Sequence, residues 1–337
     1  MRSGLERLRE RTNGYTVTPA QYVWVSYVAL GALTLIVLTG AAVRLTGSGL
    51  GCPTWPKCYG NVYPPLNTHA VIEFSNRLLT GPVSIAAGAA WLAALRRRPY
   101  RRDLVWLGAL LPLGVVGQAV LGGFTVRGAL DYGWVMGHFA LSMLILVAAV
   151  ILVWRARHEP AELAERPASD RSLVLSVRGL AALGALTIFA GTAATAAGPH
   201  AGGSPGQKIN RLSFDGRGTM DFVIHRHGEI AFVFGVVSLL VWWLARRRSA
   251  DPALRRTLTA LLVLLALQGV VGLDQYENHL PTELVWVHVG LACGVWLTVL
   301  WAACVAGRLA PRGAQVAVER AVGGPLPAGT PVKFPGN

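Results

Sequence analysis

An all-α integral membrane protein, with eight transmembrane helices in two tandem four-helix bundles, is the fold class this sequence predicts. Three observations predict it. The chain of 337 residues is 53% hydrophobic and 14% charged, with a mean hydropathy of +0.46, values that polytopic membrane proteins reach and soluble domains rarely do. It contains eight apolar runs long enough to cross a hydrocarbon core, which takes about 20 helical residues. Its second half repeats landmarks of the first at a nearly constant offset, the mark of an internal duplication.

In chain order, residues 1–21 form a charged cytoplasmic segment, too polar and Arg-rich for a cleavable signal peptide. Spans follow at Tyr22–Val43, Val71–Leu95, Leu104–Val126 and Trp134–Trp154, making a first unit over residues 22–154. A charged, Ala/Pro-rich linker (155–173) leads to spans at Val174–Ala197, Phe222–Ala245, Leu258–Leu273 and Leu284–Ala306, a second unit over 174–306. Residues 307–337 read as a disordered cytoplasmic tail.

The formal charge of +14 invites a nucleic-acid reading, but its distribution excludes it. Basic residues gather in alternate connections, at Arg96–Arg98 with Arg101 and Arg102, at Arg155 and Arg157, at Arg246–Arg248 with Arg255 and Arg256, and at both ends. This is the positive-inside bias. It places both termini in the cytoplasm of a bacterial-type cell membrane and the Cys52/Cys58 loop outside, where disulfides persist. Cys293 and Cys304 fall within the last span and read as apolar packing.

The duplication is specific. Gln118-Ala-Val-Leu-Gly is echoed by Gln268-Gly-Val-Val-Gly and His138 by His288, both at an offset of 150. Asn76-Arg77 is echoed by His225-Arg226 at 149, and TGAAVRLTGSG loosely by AGTAATAAGPH. Four spans per unit return the chain to the same side, so the repeat is parallel.

Sites follow from depth. His138, His225 and His288 each lie within about two turns of the outer end of an even-numbered span, as does Asn76. Imidazoles on facing helices of a bundle suit axial ligation of haem iron, which pairs His225 with His288 and leaves His138 opposite Asn76. His227, two residues on, points away from His225 on a helix and reads as a polar interface residue. His69, one turn before Glu73, is a substitute ligand or proton donor. Arg77 and Arg226 suit outward-pointing carboxylates such as haem propionates; for Arg44 that reading and snorkelling to headgroups stand level. Glu73 is either a salt-bridge partner of Arg77 at i,i+4 or a proton acceptor beside a substrate. Cys52 and Cys58 form either a loop staple or a redox pair.

Through TGSGLGCPTWPKC, IEFSNR, VMGHFALS, the HR of VIHRHGE and WVHVGLA, the chain resembles haem A synthase from about Val17 to Ala306. The resemblance implies oxidation of a haem O methyl to the formyl of haem A. It further implies haem B on His225 and His288 in the second unit, and substrate haem O near His138 and Glu73 in the first. It brings Cys52 and Cys58 into line with the family's outer-loop pair. Implied partners are a haem O-producing farnesyltransferase and cytochrome c oxidase assembly, in a lipid bilayer; self-association is left open. Two departures stand out. Asn76 occupies a family His position, leaving the first site one imidazole short, and the second outer loop, AAGPHAGGSPG, carries no cysteine pair. The competing classes are a b-type cytochrome without substrate haem, which leaves Glu73 idle, and an outer-face thiol:quinone oxidoreductase, which leaves the histidines idle. A transporter would need Gly/Pro-broken mid-membrane helices, and none is evident.

Overall fold

The computed structural model describes residues 15–165, 170–204, 206–214 and 218–307. The expected tail and most of the expected N-terminal segment lie outside these residues. Nine helices are formed among the described residues: α1 Pro19–Leu45, α2 Thr68–Arg96, α3 Arg102–Arg127, α4 Tyr132–Arg157, α5 Pro160–Glu165, α6 Arg171–Ala197, α7 Thr219–Arg247, α8 Pro252–Glu277 and α9 Thr282–Val305. All except α5 are long and apolar enough to cross a membrane, so the protein is a multi-pass membrane protein.

Local chemistry sets the helix starts. Thr18 opens α1 with a capping box: its Oγ1 accepts from the Gln21 amide at 3.3 Å while the Gln21 Oε1 accepts from the Thr18 amide at 2.9 Å. Asn67 caps α2, and Asp131, Asp170 and Asp251 cap α4, α6 and α8. The seventh span runs well past Leu258–Leu273 at both ends. Asp251 and Pro252 start α8 two turns before the apolar run does, because a cap and a fixed φ begin a helix whatever its hydropathy. Both α2 and α3 continue through Pro82 and Pro112.

In the first half α1, α2, α3 and α4 pack in a closed ring, each touching the next and α4 returning to α1. Helices α6 to α9 form the same ring. Hence α2 faces α4, and α7 faces α9, across a bundle core. The halves meet through α4 against α9, α1 against α9 and α4 against α6, the pattern of a two-fold axis between the equivalent helices α4 and α9. Trp296 on α9 donates to the Met143 carbonyl on α4 at 3.1 Å, and Trp286 to the Leu38 carbonyl on α1 at 3.1 Å. The turns α3–α4 and α8–α9 repeat in detail: Ala129 and Leu130, like His279 and Leu280, have positive φ.

At the disulfide end the loops of the halves interlock. The Gly49 amide donates to the Gly202 carbonyl at 2.8 Å, Ser204 Oγ to the Gly47 carbonyl at 2.8 Å, and Arg44 Nε to the His200 carbonyl at 3.0 Å. A Cβ on Gly47 would lie 2.9 Å from the Gly203 carbonyl oxygen, so this close approach requires glycine.

Candidate functional site

Each half presents one histidine on its last helix in the same cradle. His138 on α4 has its carbonyl capped by Gln118 Nε2 at 2.9 Å, and Gly122 lies against its ring, where a Cβ would sit 3.6 Å from Cε1. His288 on α9 is capped by Gln268 Nε2 at 3.1 Å, and Gly272 brings the equivalent distance to 3.2 Å. In both halves the histidine Nδ1 and the glutamine Oε1 are buried without a hydrogen-bond partner. Buried polar atoms are rarely left so, and four orphans in two equivalent places mark sites built for something else.

The residues opposite differ. On α2, Asn76 lies beside Gly40 with its Oδ1 also buried and unpartnered. On α7 the equivalent place, beside Gly191, is filled by His227. Its ring centroid lies 6.2 Å from that of His288, at 75°, and the Thr187 carbonyl holds its Nδ1 at 3.1 Å. His225, which the sequence paired with His288, points elsewhere: it is exposed, its Nδ1 lies 2.6 Å from the Asp221 carbonyl, and its ring stands edge-on to Tyr276. Residues two apart on a helix point about 200° apart, so only one of the two can face the core. The packing against α6 selects His227, the residue sequence reasoning placed at an interface. The signal lay in Gly40 and Gly191, which share an offset of 151 with Asn76 and His227.

Around the first site the loop 46–67 folds over the bundle mouth. Cys52 and Cys58 form a disulfide, both sulfurs buried. Glu73, only 6% exposed, ties this loop down: Oε2 accepts from the Cys52 amide at 2.6 Å, and Oε1 pairs with Arg77. Arg77 reaches on to the carbonyls of Cys52 and Thr54, both at 2.8 Å. A Cβ on Gly51 would lie 2.1 Å from the His69 carbonyl oxygen, so loop and helix touch backbone to backbone. Trp55 packs on Gly123 of α3 and under the Arg127 guanidinium. His69 Nδ1 lies 3.0 Å from Oγ of the buried Ser48. Arg226 pairs with Glu229 on the exposed face of α7, and Arg44 serves the interlock described above.

The donor set fits a haem better than a bare ion. Among the described residues no group of three or more His, Cys, Asp or Glu side chains could hold a metal, whereas a bare zinc site needs three or four protein ligands. Two imidazoles across a bundle core suffice for an iron that brings its own four equatorial nitrogens. The second half offers such a pair, and the first a single imidazole.

A family profile described as cytochrome oxidase assembly protein matches residues 22–300. A protein named heme A synthase from Symbiobacterium thermophilum is 30% identical over 81% of this chain and 91% of its own length. Another so named, from Shewanella oneidensis, is 26% identical over 83% and 95%. A protein named protoheme IX farnesyltransferase, from Thermus thermophilus, is 28% identical over 80% of this chain, which spans about half (46%) of that relative.

Proposed function

The chain belongs to the COX15-CtaA family of cytochrome oxidase assembly proteins, and on that premise we propose that it is a haem A synthase. It oxidises a methyl group of haem O to the formyl group of haem A. The methyl would be hydroxylated twice, each time at the expense of one equivalent of an external two-electron oxidant, and the resulting gem-diol would lose water to the aldehyde. A bound haem supplies the redox chemistry; the protein supplies binding, orientation and exclusion of water.

The observation that carries the reading is the asymmetry between equivalent sites. In the second half His288 and His227, each with a glycine against its ring, would hold a resident haem B. The first half, with His138 and the weakly ligating Asn76, leaves one face open, as suits a haem that must enter, react and leave. Glu73, with Arg77, keeps the disulfide loop seated over this site, and its carboxylate lies at the mouth to accept a proton when that ion pair opens. Arg77, beside the first mouth, remains the candidate partner for a propionate there; Arg226, paired with Glu229 on the exposed face of α7, is kept for the second half on its place in the sequence alone. A second reading of the haem B ligands has its own support: the Asn76-Arg77 and His225-Arg226 correspondence favours His225. His227→Ala should convert a six-coordinate haem B spectrum to a five-coordinate one; His225→Ala doing so instead would return the ligand to His225.

We place the disulfide loop outside and both termini in the cytoplasm, on the strength of the arginine distribution. The farnesyltransferase relative and the assembly family support a neighbouring haem O synthase as donor and the oxidase as recipient.

The test is to purify the protein in mild detergent, extract its haems and identify them by chromatography and mass. Haem B together with haem O, haem A or a hydroxylated intermediate is expected. Haem B alone, even after co-expression with a haem O synthase, would favour a b-type cytochrome. No haem would sink the histidine argument.

A further inference from the structure

The Arg-rich end of the second bundle contains a cavity of ≈ 280 Å³ between the end of α7 and the start of α8, lined by Arg246, Pro252, Arg255, Arg256 and Thr259. Its charge is uncompensated. Arg255 Nε is buried without a hydrogen-bond partner. Arg256 reaches only the Pro252 carbonyl, at 3.3 Å, and Arg246 lies over the Trp242 ring at 4.6 Å. The nearby carboxylates are engaged elsewhere, Asp251 capping α8 and Asp170 pairing with Arg248. Among the described residues none of the three lining arginines has an acidic partner.

The equivalent corner of the first bundle shows that this is a choice and not a habit of the fold. There Arg97, fully buried, pairs with Glu159, and Arg101 pairs with Asp103 and Glu159 and donates to the carbonyls of Arg155 and His158. Arg246 and Arg256 are exposed and Arg255 is half-buried with its Nε enclosed, so three guanidinium groups without an acidic partner converge on one open pocket, where a single anion can meet them all.

The second observation is what lies beneath. One to two turns deeper in the membrane, Trp242 donates to Thr259 Oγ1 at 2.9 Å, and Leu239 and Val263 stand exposed on the two helices. Helix α8 is buried only at Leu254, Leu258 and Leu261, in its Arg-rich third, whereas α3 is buried as far as Gly123. Below the pocket both helices thus present exposed apolar side chains, as a bilayer-facing surface does. We propose that the pocket is a binding site for an anionic phospholipid: the arginines take the headgroup phosphate and an acyl chain lies along the apolar faces below. Basic pockets between membrane helices recognise such headgroups by this chemistry. The site is independent of the haem chemistry and stands or falls without it.

The full-length protein in mild detergent would be titrated with phosphatidylglycerol or phosphatidylcholine and read by native mass spectrometry. One phosphatidylglycerol should be retained with about tenfold preference over phosphatidylcholine, as expected of charge-assisted bonds to three arginines. Arg255→Gln with Arg256→Gln should abolish that preference. Arg255→Lys with Arg256→Lys should keep most of it, and Arg102→Gln, at the same end of the first bundle, all of it. The Lys pair keeps the test decisive should the Gln pair misfold, since loss of the preference in Lys variants of wild-type melting temperature would count against the site. Equal retention of the two lipids, or an unchanged preference in the Gln pair, would overturn the proposal. Displacement of phosphatidylglycerol by millimolar inorganic phosphate would reassign the cavity to free phosphate and overturn the lipid.

Discussion

The two halves of this chain have the same ring of four helices, the same left-handed turns and the same Gln–His–Gly cradle, yet they differ at three depths. At the disulfide end the first half is covered by a tethered loop, while the corresponding segment of the second half is used to clasp its neighbour. In the core, Asn76 stands where the second half has His227. At the Arg-rich end the first half pairs its buried Arg97 and Arg101 with carboxylates, whereas in the second half Arg248 pairs with Asp170 but Arg246, Arg255 and Arg256 have no acidic partner among the described residues. A duplicated scaffold has kept its packing and diverged where small molecules would bind. One bundle is suited to hold a group permanently and the other to exchange it.

The largest way to break this comparison is to remove the shared histidines one at a time. His288→Ala should strip haem B from the purified protein and abolish haem A production. His138→Ala should leave haem B in place, with its spectrum unchanged, while haem O accumulates. Loss of haem B from both variants, at wild-type melting temperature, would mean that the sites are not separate. Next comes the Arg-rich end. Arg97→Ala removes a fully buried guanidinium and leaves Glu159 to Arg101 alone, which should cost about 2 kcal/mol. Arg247→Ala, exposed over Trp243 at the end of α7, should stay within about 0.5 kcal/mol. Thermal melting of the two variants in one detergent checks the contrast. Equal losses would show that the two ends are not built differently.

Much of this was legible in the sequence because it rests on one-dimensional signals. Spans are set by apolar length, the duplication by Gln118/Gln268 and His138/His288 at one offset, and the disulfide by two nearby cysteines in one loop. What was hidden depends on rotation and on long-range pairing. Whether His225 or His227 faces the core is decided by how α6 presents Thr187 and Gly191, and the motif register of 149 competes with the packing register of 151. Every arginine cluster reads as the same topological anchor until Glu159, far along the chain, is seen beside Arg97 and Arg101. Glu73 announced a site, but its bond to the Cys52 amide, which makes it a loop tether as well, could not be read from spacing alone.

The disulfide variant has a smaller effect and one confined to a single half. Cys52→Ser with Cys58→Ser opens a short loop, worth about 2 kcal/mol. Glu73 and Arg77 still bind the loop backbone, so the fold should survive. The expected result is faster proteolysis between residues 53 and 66 and a lower melting temperature, with the haem B spectrum unchanged. A change in that spectrum would show that the loop governs the second half as well.

The smallest and sharpest test uses the cradle glycines. Alanine is favoured over glycine in a helix interior by up to about 1 kcal/mol, so the sign of each variant depends on the space its Cβ meets. At Gly122 that Cβ would meet His138 Cε1 at 3.6 Å, an ordinary contact, and Gly122→Ala should leave stability unchanged or raise it by a few tenths of a kcal/mol. At Gly272 it would meet His288 Cε1 at 3.2 Å and Nδ1 at 3.6 Å, so the ring must yield by a few tenths of an ångström. His227 lies 6.2 Å from the His288 ring, so a displaced ring changes the geometry between the two imidazoles. Gly272→Ala should therefore shift the haem B midpoint potential and Soret band, while Gly122→Ala shifts neither. Identical behaviour of the two alanines would mean that the second cradle is no tighter than the first, and the distinction between a resident and an exchanging haem would have to rest on Asn76 alone.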